Sequence, residues 1–191
     1  MKLWLVRHAP VIAEAGLCYG ATDLAAHHGD TLAAAGAVSA AIPAAIGTER
    51  PGGMAFVSSP LQRCASLAKA VAALRPDLPP CRYDANLAEM DFGAWEGSPW
   101  QAVAPSEFDA WMADFADRRA GSTGESTRLF MQRVGIAWNA WRASGTDALW
   151  VTHAGVMRAV TLLQRGVRVP VTAADWPAHP IAFGEFVQVE V

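Results

Sequence analysis

Two histidines, two arginines and a cluster of acids stand where the chain could do chemistry. The apolar run in "LWLVRHAP" stops on Arg7-His8, Arg63 lies in "SSPLQRC", and His153 lies in "VTHAGV". "LAEMDFGAWEG" holds Glu89, Asp91 and Glu96 among apolar residues and glycines. Adjacent Arg7 and His8 can both be cationic, so the pair implies an anion. Two guanidiniums suit bidentate contact with phosphate oxygens. A neutral imidazole can act as a nucleophile at physiological pH. A carboxyl group in partly apolar surroundings can act as a general acid. Each cluster alone has a plainer reading: a solvated arginine, a histidine satisfied by backbone, a loop of exposed acids. Together they point to a phosphate site.

These residues need elements that bring them to one place. Strand-like runs are Leu3–Val6, Met54–Val57 and Ala148–Thr152, with a short one at Cys81–Tyr83 and a C-terminal one in "FGEFVQVEV". Helical spacing joins Leu61 to Ala72, Phe108 to Phe115 and Phe130 to Trp141. Strands alternating with helices predict an α/β fold, a three-layer α/β/α sandwich with a mainly parallel sheet. Pro177 and Pro180 precede the last strand, which is expected at an edge and antiparallel. Ligands in such sheets bind beyond the carboxyl ends of strands. Arg7-His8, "SSPLQR" and "THAG" all fall there. Ser59 is expected to N-cap the second motif's helix, with Pro60 in the first helical position and Gln62 as the capping-box partner. Arg63 in the first turn then leans back toward the strand ends. Ala154-Gly155 opens a helix after His153, with the glycine allowing a ligand to approach the backbone.

The chain of 191 residues suffices for one domain, 1–191, with a single core. Apolar residues make up 52 % and the formal net charge is −3, with no basic block. That argues against a nucleic-acid groove or a membrane-surface patch. No apolar run approaches the roughly 18 residues of a membrane span. Three scattered cysteines, Cys18, Cys64 and Cys81, form no CxxC pair and fit free thiols in a cytoplasmic protein, with no zinc site expected. Adjacent His27 and His28 read as a solvated turn. The eight tryptophans read as core packing, although Trp95, Trp100 and Trp111 lie in a segment able to cover the site.

In their order along the chain, "LVRHAP", "SSPLQRC", "LAEMDFGAWEG" and "VTHAGVMR" resemble the four motifs of the histidine phosphatase superfamily, the phosphoglycerate mutase-like fold. The resemblance implies a metal-independent enzyme without cofactor, acting on a small phosphomonoester. It implies that His8 is phosphorylated, that Arg7, Arg63, His153 and Ala154 bind the phosphoryl group, and that Glu89 is the proton donor. Glu96 is expected to be structural, and Gly124-Glu125-Ser126 to begin a helix near the site. "GLCYGATDL" resembles α-ribazole phosphatases of cobalamin biosynthesis, which adds Tyr19 and Gly20 to the substrate contacts. The chain departs from the family in Ala9-Pro10-Val11, where Gly-Glu-Thr is usual, in Glu14 for an asparagine, and in Leu67 for a threonine. Glu14 beside a phosphate would repel it and is expected to point away. The alternatives are a broad-specificity sugar-phosphate or nucleotide phosphatase, a phosphoglycerate mutase, and an inactive phospho-ligand-binding module.

Overall fold

The computed structural model describes residues 1–42 and 54–191. Its sheet has five strands in the order β3-β2-β4-β1-β5. These are β1 (Lys2–Arg7), β2 (Met54–Ser58), β3 (Arg82–Tyr83), β4 (Asp147–Thr152) and β5 (Phe186–Glu190). β1 pairs parallel with β4, and β4 with β2 and β2 with β3 likewise, whereas β5 runs antiparallel along β1 at the edge. The central strands are apolar along their length because both faces are covered. Trp4, Val6, Phe56, Leu149 and Val151 pack with α1 (His28–Ala41) and α2 (Gln62–Leu74). Leu3, Leu5, Val57, Ala148 and Trp150 pack on the other face with α4 (Thr127–Ser144) and α5 (Ala154–Gln164). The alternation follows the period of two along each strand, and the result is the expected three-layer sandwich.

Two local expectations need correction. α2 begins at Gln62 with Leu61 as N-cap, later than the Ser59-Pro60 reading, and Leu61 provides no side-chain cap. Ser59 Oγ accepts from Leu61 N at 3.3 Å, and the helix start is closed from a distance. Asp23 Oδ1 accepts from Gln62 N at 2.7 Å, while Gln62 Nε2 donates to the Asp23 carbonyl at 2.8 Å. The second concerns α1, which has no apolar periodicity. It buries Thr31, Ala34, Ala35 and Val38, small residues that let it approach α2 closely. Exposed His27 is its N-cap and His28 its first residue, so they head a helix instead of forming a turn.

α3 (Pro105–Ala113) is shorter than the spacing suggested, and Phe115 falls past its end. α4 is longer at both ends, starting behind Ser126, whose side chain accepts from Leu129 N. Leu67 is fully buried between the α1–α2 pair and the sheet, where an apolar residue is required. Among the described residues, no helix is long and apolar enough to cross a membrane.

Candidate active site

His8 follows the last residue of β1 and is 2 % exposed. Its backbone N donates to the Thr152 carbonyl at 3.0 Å, which ties it to the carboxyl end of β4. Nδ1 lies 2.7 Å from the carbonyl of Ala9. A carbonyl only accepts, so Nδ1 carries the proton and Nε2 keeps its lone pair. Burial, countered in part by the Ala9 bond and reinforced by the charges of Arg63 and Arg7, pulls the His8 pKa down to about 3. The ring is therefore neutral at physiological pH.

His153 is the N-cap of α5, fully buried, with its ring 5.1 Å from that of His8. Arg63 Nε donates to His153 Nδ1 at 3.3 Å, so Nε2 holds the proton and donates to Ser59 Oγ at 2.9 Å. Burial, then Arg63, His8 and the more distant Arg133 and Arg7, lower its pKa well below the ordinary histidine value.

Arg63 is also fully buried. Its Nη1 donates to the Thr22 carbonyl at 2.8 Å and its Nη2 to the Gly20 carbonyl at 2.6 Å. Three of the guanidinium's five N–H donors are thus used by protein, and two remain. The segment that holds Arg63 is itself held by Glu96. One Glu96 carboxylate accepts from the backbone N–H groups of Gly20, Ala21, Thr22 and Phe92, and from the Thr22 hydroxyl. These bonds outweigh burial and lower its pKa. Gly20 allows this wrap, since a Cβ there would overlap the Met90 carbonyl. Tyr19 lies beside the cations, its ring 5.3 Å from Arg63 Cζ.

Arg7 Cζ sits 3.7 Å over the ring of Phe183, and Nη1 donates to the Ile181 carbonyl. Phe183, 40 % exposed, also lies 5.6 Å from the His8 ring. The 181–185 loop thus covers the His8 side of the site, which no sequence pattern indicated. Arg7 Nε is buried and has no partner among the described residues.

Glu89 joins this group from the loop after β3. Its Oε1 accepts from Met90 N and its Oε2 from Gly155 N, both at 3.0 Å. The expectation for Gly155 changes accordingly. A Cβ there would overlap the Glu89 carboxylate, so the glycine makes room for that side chain. Arg133 sets the Glu89 loop. Its Nη1 donates to the carbonyls of Asn86 and Ala88 at 3.0 Å, and its Nη2 to that of Glu89 at 3.3 Å. Glu125 holds Arg133 through both oxygens, at 2.9 and 2.8 Å. Arg133 carried no signal in the sequence because the carbonyls it bonds are 44–48 residues away. Asp91 and Glu14 stand apart. Asp91 Oδ1 accepts from Gly93 N, and Glu14 is exposed.

Neutral His8 and His153 have a consequence for stability. The unfolded chain protonates a histidine near pH 6.5, while folded His8 resists protonation down to about 3. Below pH 6.5 the unfolded state therefore binds more protons, and stability falls as pH falls. Each such histidine should contribute about 1.4 kcal/mol per pH unit in that window. Urea unfolding at steps from pH 7 to 4 should show this slope, and His153→Asn should flatten it by about one proton. An unchanged slope would mean that His153 is charged in the folded protein.

An α/β sandwich whose first strand ends in a buried, arginine-flanked histidine is a fold and a site suited to phosphoryl groups. The chain matches the profile of the histidine phosphatase superfamily (branch 1) over residues 3–179, and it belongs to that superfamily. The protein TTHB049 from Thermus thermophilus is 28 % identical, with 100 % of this chain and 94 % of that one covered and a TM-score of 0.68. A phosphoglycerate mutase from the same organism is 27 % identical over 100 % and 93 % of the two chains, TM-score 0.68. A mycobacterial glucosyl-3-phosphoglycerate phosphatase is 21 % identical over 98 % and 88 %, with a TM-score of 0.73, which shows the shared fold alone. No curated protein sequence matches the chain.

Proposed function

We propose that this chain is a phosphomonoesterase that works through a phosphohistidine on His8, and that its ester is α-ribazole 5′-phosphate. The observation that carries the chemistry is the Nδ1 bond of buried His8 to the Ala9 carbonyl, which leaves Nε2 unprotonated beside Arg7, Arg63 and His153. Nε2 attacks phosphorus and forms the N–P bond as the ester P–O bond breaks. The arginines stabilise charge on the equatorial oxygens, and His153 joins them by turning its Nε2–H from Ser59 to the phosphoryl group. Glu89 gives its proton to the departing alkoxide. The carboxylate then takes a proton from water as the water oxygen attacks phosphorus, releasing inorganic phosphate and restoring His8. Fixed cations carry the electrostatic work, so turnover should survive chelators. The helix dipole of α5 adds positive potential at the same rim.

The substrate reading rests on the resemblance of the Tyr19-Gly20 segment and on charge. A phosphoglycerate needs cations for its carboxylate, and the stretch after His8 offers none before Arg50. Free thiols at Cys18, Cys64 and Cys81 fit a cytoplasmic enzyme. Phosphate release from a panel of phosphomonoesters tests the reading. The expected kcat/KM for α-ribazole 5′-phosphate exceeds that for 3-phosphoglycerate by roughly tenfold or more, with little mutase activity. Faster turnover of phosphoglycerates or sugar phosphates would overturn the substrate and leave the mechanism standing. No turnover of any ester would favour a binding module.

A further inference from the structure

Glu89 sits on a stretch that no strand or long helix holds. A single 3-10 turn, Ala85–Leu87, follows β3, and the chain then runs irregularly to the next such turn at Gly93. Irregular backbone leaves carbonyls that need partners from elsewhere. Here α4 supplies them. The Arg133 guanidinium donates to the carbonyls of Ala85 and Glu89 at 3.3 Å and to those of Asn86 and Ala88 at 3.0 Å. The Leu87 carbonyl between them accepts from Thr152 Oγ1 at 2.8 Å, at the end of β4. Glu125 closes the far side. It bonds Arg133 through both oxygens, its Oε2 accepts from Asp91 N at 3.1 Å, and its own N donates to the Asp91 carbonyl at 2.8 Å. One ion pair, each side chain only 20 % exposed, therefore clasps the chain on both sides of Glu89.

The phosphate-binding groups have other supports. His8 is held by Ala9 and Thr152, Arg7 by Ile181 and Phe183, and Arg63 by Gly20 and Thr22. None of these bonds involves Glu125 or Arg133. A general acid must stand within about 2.6–3.2 Å of the atom it protonates, and a misplacement of about 1 Å can cost 10²-fold in rate. The two bonds to the Glu89 carboxylate, from Met90 N and Gly155 N, place it only as well as the backbone at 89–90 is placed. A lysine at 133 would keep the charge, but a point donor on a flexible stem cannot span these carbonyls.

We propose that Arg133, oriented by Glu125, is a positioning residue for proton transfer by Glu89 and takes no part in holding phosphate. The proposal rests on the reading of Glu89 as donor, whose O–H bond breaks as the ester oxygen leaves with the proton. The test is single-turnover phosphorylation of the full chain by two esters. One is the alkyl phosphate turned over fastest in the substrate panel, and the other is p-nitrophenyl phosphate, whose leaving group needs little protonation. Arg133→Lys should slow the alkyl ester by about 10- to 100-fold and p-nitrophenyl phosphate by less than about threefold. Glu125→Gln should show the same selectivity at smaller size, and it decides by the same ratio if Arg133→Lys does not fold. Both variants should keep the wild-type rise of Tm with vanadate, because the phosphate-binding groups are untouched. Equal slowing of the two esters, no slowing, or a lost vanadate shift would overturn the proposal. Glu89→Gln separates the two failures. If it is ester-selective and the Arg133 and Glu125 variants are not, the positioning role alone is wrong. If Glu89→Gln slows both esters equally, the donor reading falls and the proposal with it.

Discussion

His8→Ala is expected to lower phosphomonoester turnover by roughly 10⁴-fold or more, the scale of loss when a covalent nucleophile is removed. The expectation follows from how completely the surroundings are committed to one ring nitrogen. The Ala9 carbonyl holds the proton on Nδ1. Burial and two neighbouring guanidiniums keep a second proton off the ring. No other neutral nucleophile among the described residues shares this position, because His153 spends Nδ1 on Arg63 and Nε2 on Ser59. Brief incubation with a phosphate donor should label wild-type protein with an acid-labile, alkali-stable phosphoryl group, and His8→Ala should take up none. The variant should stay folded and still bind phosphate, since the arginines remain. A label that persists in His8→Ala would move the nucleophile elsewhere. Because the folded ring stays neutral down to about pH 3, loss of activity near pH 6 would have to come from a group other than His8.

What the sequence made legible was what lies at strand ends. β1, β2 and β4 are buried on both faces, so their apolar runs are continuous, and each run stops where polar residues begin. Arg7-His8, Arg63 and His153 are conspicuous for that reason. α1 is hidden because its packing uses small residues, which give little contrast between faces. The start of α2 is displaced from its local signal because its cap, Asp23, is 39 residues away along the chain. The same distance effect conceals Arg133, which orders the Glu89 loop through carbonyls that no side-chain pattern can reveal. The tryptophans divide. Trp95 and Trp111 are buried in an aromatic cluster with Phe108 and Phe115, as packing suggested. Only the packed structure shows that the Trp111 N–H is left without a partner among the described residues.

Arg63→Lys keeps the charge and should still lose about 10²- to 10³-fold in kcat, the usual result of removing one preorganised donor to a developing oxyanion. Arg63 does two jobs with one planar group. In the proposed mechanism its two spare N–H donors serve the phosphoryl oxygens, while the other three bond the carbonyls of Gly20 and Thr22 and the ring of His153. A lysine ammonium is a point donor on a flexible stem and cannot span that set. At least one buried carbonyl then loses its partner, at about 1–3 kcal/mol, and His153 loses the bond that fixes its tautomer. For a chain of this length each kcal/mol lowers Tm by about 2–4 °C, so the variant should melt several degrees early while remaining folded at assay temperature. Vanadate separates the two jobs. It should raise the Tm of wild-type protein by binding the native site, and raise that of Arg63→Lys much less. If Arg63→Lys kept more than about a tenth of wild-type kcat and the full vanadate shift, Arg63 would be a clamp for the Tyr19–Thr22 segment alone. Phosphate would then be held by Arg7, whose buried Nε has no partner among the described residues.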